Sequence, residues 1–152
     1  MINTFQNAPR RNRERGNAIV ELSFLLPILV SLFLGTWFLG YDNYIYARLE
    51  EAIRSGARYA SHGVYQTSNP SAYQTSVKNA VVYGDPAGGT TPLVPNLTTA
   101  MVNVTLSPAI GTPTSVTVSI SNFQLWGPFG NNVLLDHKPW LTLPFMGYYV
   151  PL

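Results

Sequence analysis

The chain has 152 residues, 46% of them hydrophobic and only 11% charged, where an ordinary soluble domain carries roughly a quarter charged residues. One domain, or one domain with an anchor, fits that length. So little charge argues against a disordered tail and against a freely soluble enzyme. The absence of cysteine removes disulfides, thiolate metal sites and thiol nucleophiles.

Arg10, Arg11, Arg13 and Arg15 fall within the first 16 positions beside one acid, Glu14, whereas five basic and six acidic residues follow from position 17 onward. The net +2 therefore belongs to the N-terminus. The remainder has no basic surplus to grip a phosphate backbone, so nucleic acid is dropped as a partner.

Between Glu21 and Asp42 lie twenty residues without a charge, Leu22 to Tyr41, reading LSFLLPILVSLFLGTWFLGY. At about 1.5 Å per residue this helix spans the roughly 30 Å of a bilayer's hydrocarbon core. As a buried helix, apolar on every side, it would need a far larger protein around it. Membrane insertion is the expectation. The arginine cluster places the N-terminus in the cytoplasm and everything after Tyr41 outside, with Trp37, Tyr41, Tyr44 and Tyr46 at the outer interface. A cleaved secretory signal fits less well, because the run is long and no small-x-small site closes it.

Glu21 does not suit a plain anchor, since an acid at the edge of an apolar segment is costly and usually functional. It stands five residues past Gly16, the glycine that ends the basic leader. A basic leader ending in glycine, four uncharged residues, a glutamate and an unbroken apolar stretch resemble the processing signature of type IV prepilins. More narrowly, GNAIVELSFLLPILVSLFLG followed by LEEAIRSGARYAS is similar to the TadE-like pseudopilins of tight-adherence (Tad/Flp) pilus systems, over about residues 10 to 62.

The resemblance implies a prepilin peptidase cut between Gly16 and Asn17, leaving Glu21 as the fifth residue of the mature chain. It implies that the Glu21 carboxylate pairs with the freed amine of a neighbouring subunit, so that two groups expensive alone in lipid satisfy one another. The implied partners are the peptidase, other pilin-like subunits and the pilus assembly platform, in the inner membrane. Pro27 removes a backbone donor and is expected to kink or unwind the helix near Phe24 to Ile28, as a flexible joint or as a proline merely tolerated in lipid.

From Asp42 the pattern stays helical, with Ile45, Leu49, Ala52, Ile53, Gly56, Ala57 and Ala60 recurring at threes and fours. Glu50 and Arg54 form an i,i+4 pair in the favourable orientation. One continuous helix from Asn17 to Ala60 would be about 66 Å long. Ala52, Gly56 and Ala60 make a flat strip for close backbone approach. It receives either a sister subunit or the protein's own outer domain, and the second is favoured because such stripes usually pack within the molecule.

After a polar break at Ser61 to Ser68, Asn69-Pro70 signals a helix over about 70 to 83, ended by Gly84-Asp85-Pro86 and followed by a turn-rich loop. Val116, Val118 and Ile120 alternate with hydroxyl residues, and Val102, Val104 and Leu106 repeat the pattern, as a hairpin or meander. Val133 to Leu135 and Trp140 to Phe145 are further strands, the latter at an edge because of Pro144. The long helix is the obvious cover for this sheet. Phe123, Trp126, Phe129, Trp140, Phe145, Tyr148 and Tyr149 are read as fillers of a small core rather than as an adhesive surface.

His62 and His137 sit in no metal spacing, Asp85 and Asp136 lie in turns, and Gly84, Gly88 and Gly89 do not form a phosphate loop. Asn96 and Asn103 match a glycosylation sequon of little weight. No enzyme, cofactor or metal is expected. The fold expected is α+β and pilin-like, with a basic leader over 1–16, a transmembrane and stalk helix over 17–60 and an outer α+β domain over 61–152. The function expected is that of a processed minor pilin or pseudopilin. The alternatives are an unprocessed single-pass anchor presenting an outer β-rich binding module, and a major pilus subunit.

Overall fold

A computed structural model describes residues 11–108, 112–126 and 132–151, with side chains from Ala18 onward; Phe129 of the aromatic set, Arg10 and most of the leader lie outside the described residues. The chain opens with α1, Arg11–His62, a run of 52 residues. It starts upstream of the Gly16–Asn17 junction and passes through it. Two compact units divide the chain, Met1–Leu39 and Gly40–Leu152, so the stalk half of α1 folds with the outer domain.

From Leu22 to Leu39 the helix is apolar and almost wholly exposed. Pro27 sits inside it without interrupting the helical backbone. The expected local unwinding does not occur, because a proline removes one backbone hydrogen bond and the bonds on either side hold the turn together.

In the second unit α1 carries a single buried stripe, Ile45, Leu49, Ala52, Ile53, Ala57 and Ala60, set by the spacing of three and four that places side chains on one helix face. The second helix, α2, spans Pro70–Tyr83. Asn69 Oδ1 accepts a hydrogen bond from Ala72 N at 3.2 Å, and Pro70 occupies the first turn, where its missing N–H costs nothing. At the other end Gly84 takes φ 77, a left-handed conformation suited to glycine, and its N–H reaches Ala80 O at 3.1 Å. Tyr73, Val77, Ala80, Val81 and Val82 are buried.

Among the described residues seven strands occur in chain order: β1 Val64–Gln66, β2 Val102–Ser107, β3 Ser115–Ile120, β4 Phe123–Leu125, β5 Val133–Leu135, β6 Trp140–Pro144 and β7 Tyr148–Val150. The main sheet has the order β2-β3-β6 and is antiparallel, with Val104 opposite Val118 and Thr117 opposite Thr142. Alternation puts Val116, Val118 and Ile120 in the core, while the Thr117 and Thr142 hydroxyls meet at 2.7 Å on the exposed face. β6 is an edge strand, and Pro144 closes it.

Two further ribbons depart from the expected single sheet. β4 and β5 pair antiparallel, and β1 and β7 pair parallel, Val64 with Tyr148 and Gln66 with Val150. The segment read as a polar break thus holds a strand, one too short for its three residues to show a period. It exists because the C-terminus returns to it. The turn-rich loop after α2 also contributes to the core, since Val94 and Leu97 are buried and Leu93 N donates to Val82 O at 2.7 Å. The stripes of both helices, these loop residues and the main sheet's inner face form one hydrophobic cluster.

The end of α1 is held by side chains. Ser61 is buried; its hydroxyl donates to Pro144 O at 2.6 Å and its carbonyl accepts from Met146 N at 2.8 Å. Tyr73 donates its buried hydroxyl to Ala60 O at 2.6 Å, one of the carbonyls that a helix end leaves without a partner. Tyr65 meets Tyr73 edge-on at 5.4 Å and stacks on Tyr149 at 6.3 Å. Burial, with Tyr59 and Tyr65 adding to it, pushes the Tyr73 hydroxyl well above its ordinary pKa of 10.0. Its contribution to stability is therefore complete below pH 10 and is lost as pH rises beyond it. Tyr73→Phe is expected to lower stability by about 1 kcal/mol at neutral pH and to weaken the loss of stability above pH 10, read from thermal melts of the detergent-solubilised protein across pH 8 to 12.

Candidate functional site

The residues singled out in the sequence are carried by α1. The backbone at Gly16 and Asn17 is helical, and their side chains lie outside the described set. Glu21 is exposed and makes no hydrogen bond or ion pair with the described residues. Pro27 is exposed one and a half turns further on.

Among the described residues α1 is the one helix long and apolar enough to cross a membrane, and none of its most apolar window is buried. Its aliphatic hydroxyls add an observation that the sequence did not disclose. Ser23, Ser31 and Thr36 each donate to the carbonyl four residues back, Ile19 O at 2.7 Å, Pro27 O at 2.7 Å and Leu32 O at 3.0 Å. In lipid an unpaired hydroxyl donor is costly, so a helix that satisfies its own hydroxyls is suited to hydrocarbon. The helix fits a single-pass membrane protein.

Above the span, Arg54 Nη2 lies 3.5 Å from Glu50 Oε2, the expected i,i+4 pair, and Arg48 lies 4.0 Å from Glu51 and 6.0 Å from the Tyr44 ring centre. These exposed pairs contribute little to stability. The strip of small residues has an occupant. Ala52, Gly56 and Ala60 are buried, and a Cβ at Gly56 would collide with the Val81 side chain of α2 while standing 3.3 Å from its Cα. The chain's own second helix lies on the strip.

Of the late aromatics among the described residues only Phe123 is buried; Phe145 and Tyr149 are half-buried, and Trp126, Trp140 and Tyr148 are exposed. The core is instead built mainly from valine, leucine, isoleucine and alanine on α1, α2 and the main sheet, which leaves no room inside for the larger rings. Asp42 Oδ1 is buried without a hydrogen-bond partner. His62 accompanies Arg58 O at 3.1 Å, and His137 lies 3.5 Å from Asp136, both pairs exposed. Among the described residues no group of three or more histidines and acids is placed to hold a metal ion.

The family model described as TadE-like protein matches residues 16–58. The N-terminal segment is TadE-like. The match begins at Gly16 and takes in Asn17, Glu21, Pro27, Ala52 and Gly56. No curated protein and no solved structure matches the chain.

The Gly56 contact gives the TadE-like segment a structural test. Alanine is the better helix former by about 1 kcal/mol, yet forcing its methyl group against Val81 costs typically 1–3 kcal/mol. Gly56→Ala is therefore expected to lower the melting temperature by several degrees, whereas Ser55→Ala, on an exposed neighbouring position, should leave it unchanged, both by circular dichroism.

Proposed function

We propose that this protein is a minor pilin or pseudopilin of a tight-adherence pilus, cut by a prepilin peptidase between Gly16 and Asn17, and that it serves assembly by packing and carries out no catalysis. The observation that carries the reading is the placement of Glu21, an exposed acid without an ion-pair partner among the described residues, five residues after Gly16 at the start of an uncovered apolar helix. The TadE-like match over this segment supports it.

The physical sequence is simple. With its leader attached, the cytoplasmic arginines hold the N-terminus at the inner face of the membrane. Removing residues 1–16 takes away those charges and creates an ammonium on Asn17. In a bundle of such helices the Glu21 carboxylate of one subunit accepts hydrogen bonds from the ammonium of another, which offsets the cost of holding either group in lipid and fixes the stagger between neighbours. The outer domain stays outside the cytoplasmic membrane. Its partners are the peptidase, other pilin-like subunits and the assembly platform.

Intact mass of the membrane-extracted protein tests the first step. Loss of sixteen residues is expected, and full length from cells that carry the peptidase would leave a permanent anchor. Gly16→Val is expected to retain the leader. Glu21→Ala is expected to insert and to be cut as usual, while its co-purification with the assembled pilus machinery falls several-fold; unchanged incorporation would refute the pairing role.

A further inference from the structure

We infer that the β4–β5 hairpin rests on the membrane, with Trp126, Val133 and Leu134 in contact with the lipid–water interface beside the outer end of the transmembrane helix. The inference depends on Leu22–Tyr41 crossing the bilayer and is independent of processing.

Three observations carry it. The first is position. A cleft of about 50 Å³ is lined by Tyr41, Asp42 and Ile45 of α1 together with Phe123, Leu125 and Trp126, so the hairpin lies beside the residues at which the charge-free stretch ends. The second is anchorage on one side only. Phe123 is buried and Leu125 and Leu135 pack on the core, while Trp126 is 68% exposed and Val133 and Leu134 are each 54% exposed. Large apolar side chains left in water forgo much of the free energy that burial would supply. The third is composition. Between Asp85 and Asp136 the sequence has no Asp, Glu, Lys or Arg, so the hairpin strands carry no charge that would oppose entry to the headgroup region, where a tryptophan ring is at home.

These facts favour lipid over a second copy of the chain. The hairpin adjoins Tyr41 and Asp42, where the charge-free stretch ends, and the depth of that point in a bilayer does not depend on how many copies assemble.

The test uses the absence of cysteine in the full chain. Single variants L29C, V133C, L134C and Y148C carry a nitroxide label in phosphatidylcholine–phosphatidylglycerol vesicles at low protein-to-lipid ratio, and collisions with oxygen, which prefers lipid, are compared with those of a nickel chelate confined to water. Leu29 reports the span. Tyr148, 78% exposed, pairs with Val64 just past the end of α1, about 30 Å of helix rise from Asp42, and reports water. Oxygen access exceeding chelate access by several-fold at 133 or 134 as well as at 29, with the reverse at 148, is the expected result.

Chelate access at both hairpin positions equal to that at 148, with 29 protected, would overturn the hairpin proposal and leave the span standing. Chelate access at 29 would remove the span and the proposal together. Exclusion of both reagents from 133 and 134 would mean a protein cover and would also overturn it. Quenching of Trp126 by brominated lipid, in a chain carrying Trp37→Phe and Trp140→Phe, reads a third position without any label and is expected to exceed quenching by aqueous iodide; the opposite order would count against lipid contact.

Discussion

Twenty consecutive uncharged residues, Leu22 to Tyr41, present apolar side chains on every side of a helix whose most apolar window is nowhere buried, and the rest of the molecule is arranged around that constraint. Water is a poor solvent for such a surface, and a bilayer is a good one provided the backbone and side-chain donors are internally satisfied. The helix meets the condition with its own ladder and with the three hydroxyls that return to carbonyls one turn back. Glu21, placed where the apolar run begins, is exposed and has no ion-pair partner among the described residues.

Past Leu39 the same helix changes its task. Instead of apolar residues all round, it offers one stripe to a core and puts Arg48, Glu50, Glu51 and Arg54 on its remaining faces. The small side chains in the stripe decide how close α2 comes, and the absence of a side chain at Gly56 is what admits Val81. The strip is thereby occupied within the unit Gly40–Leu152.

The outer domain has neither cysteine nor many charges, and it closes by tying its last strands to the end of α1. Ser61 binds the segment between β6 and β7 on both sides of its own peptide unit, and β7 pairs with β1 just beyond the helix terminus. Gly147 is required at that crossing because a side chain there would run into the Gly63 carbonyl. Chain ends fray unless fastened, and here the fastening joins the last strand to the end of α1.

The sequence by itself determined the span, the stalk stripe, α2 with its Asn69-Pro70 start and Gly84 stop, the β2–β3 pairing and the edge position of β6, together with the Gly16-to-Glu21 spacing on which the functional reading stands. Each of these is written in local periodicity, capping or turn chemistry, or in an uninterrupted apolar run, so neighbours along the chain suffice to specify it. Tertiary structure alone decided that β1 pairs with β7 and β4 with β5, that Val94 and Leu97 enter the core, that α2 occupies the small-residue strip and that Trp126, Trp140 and Tyr148 stay outside it. Strands of three residues carry no readable period, and a large side chain is buried only if the space left by others admits it; both outcomes belong to partners far away in the chain.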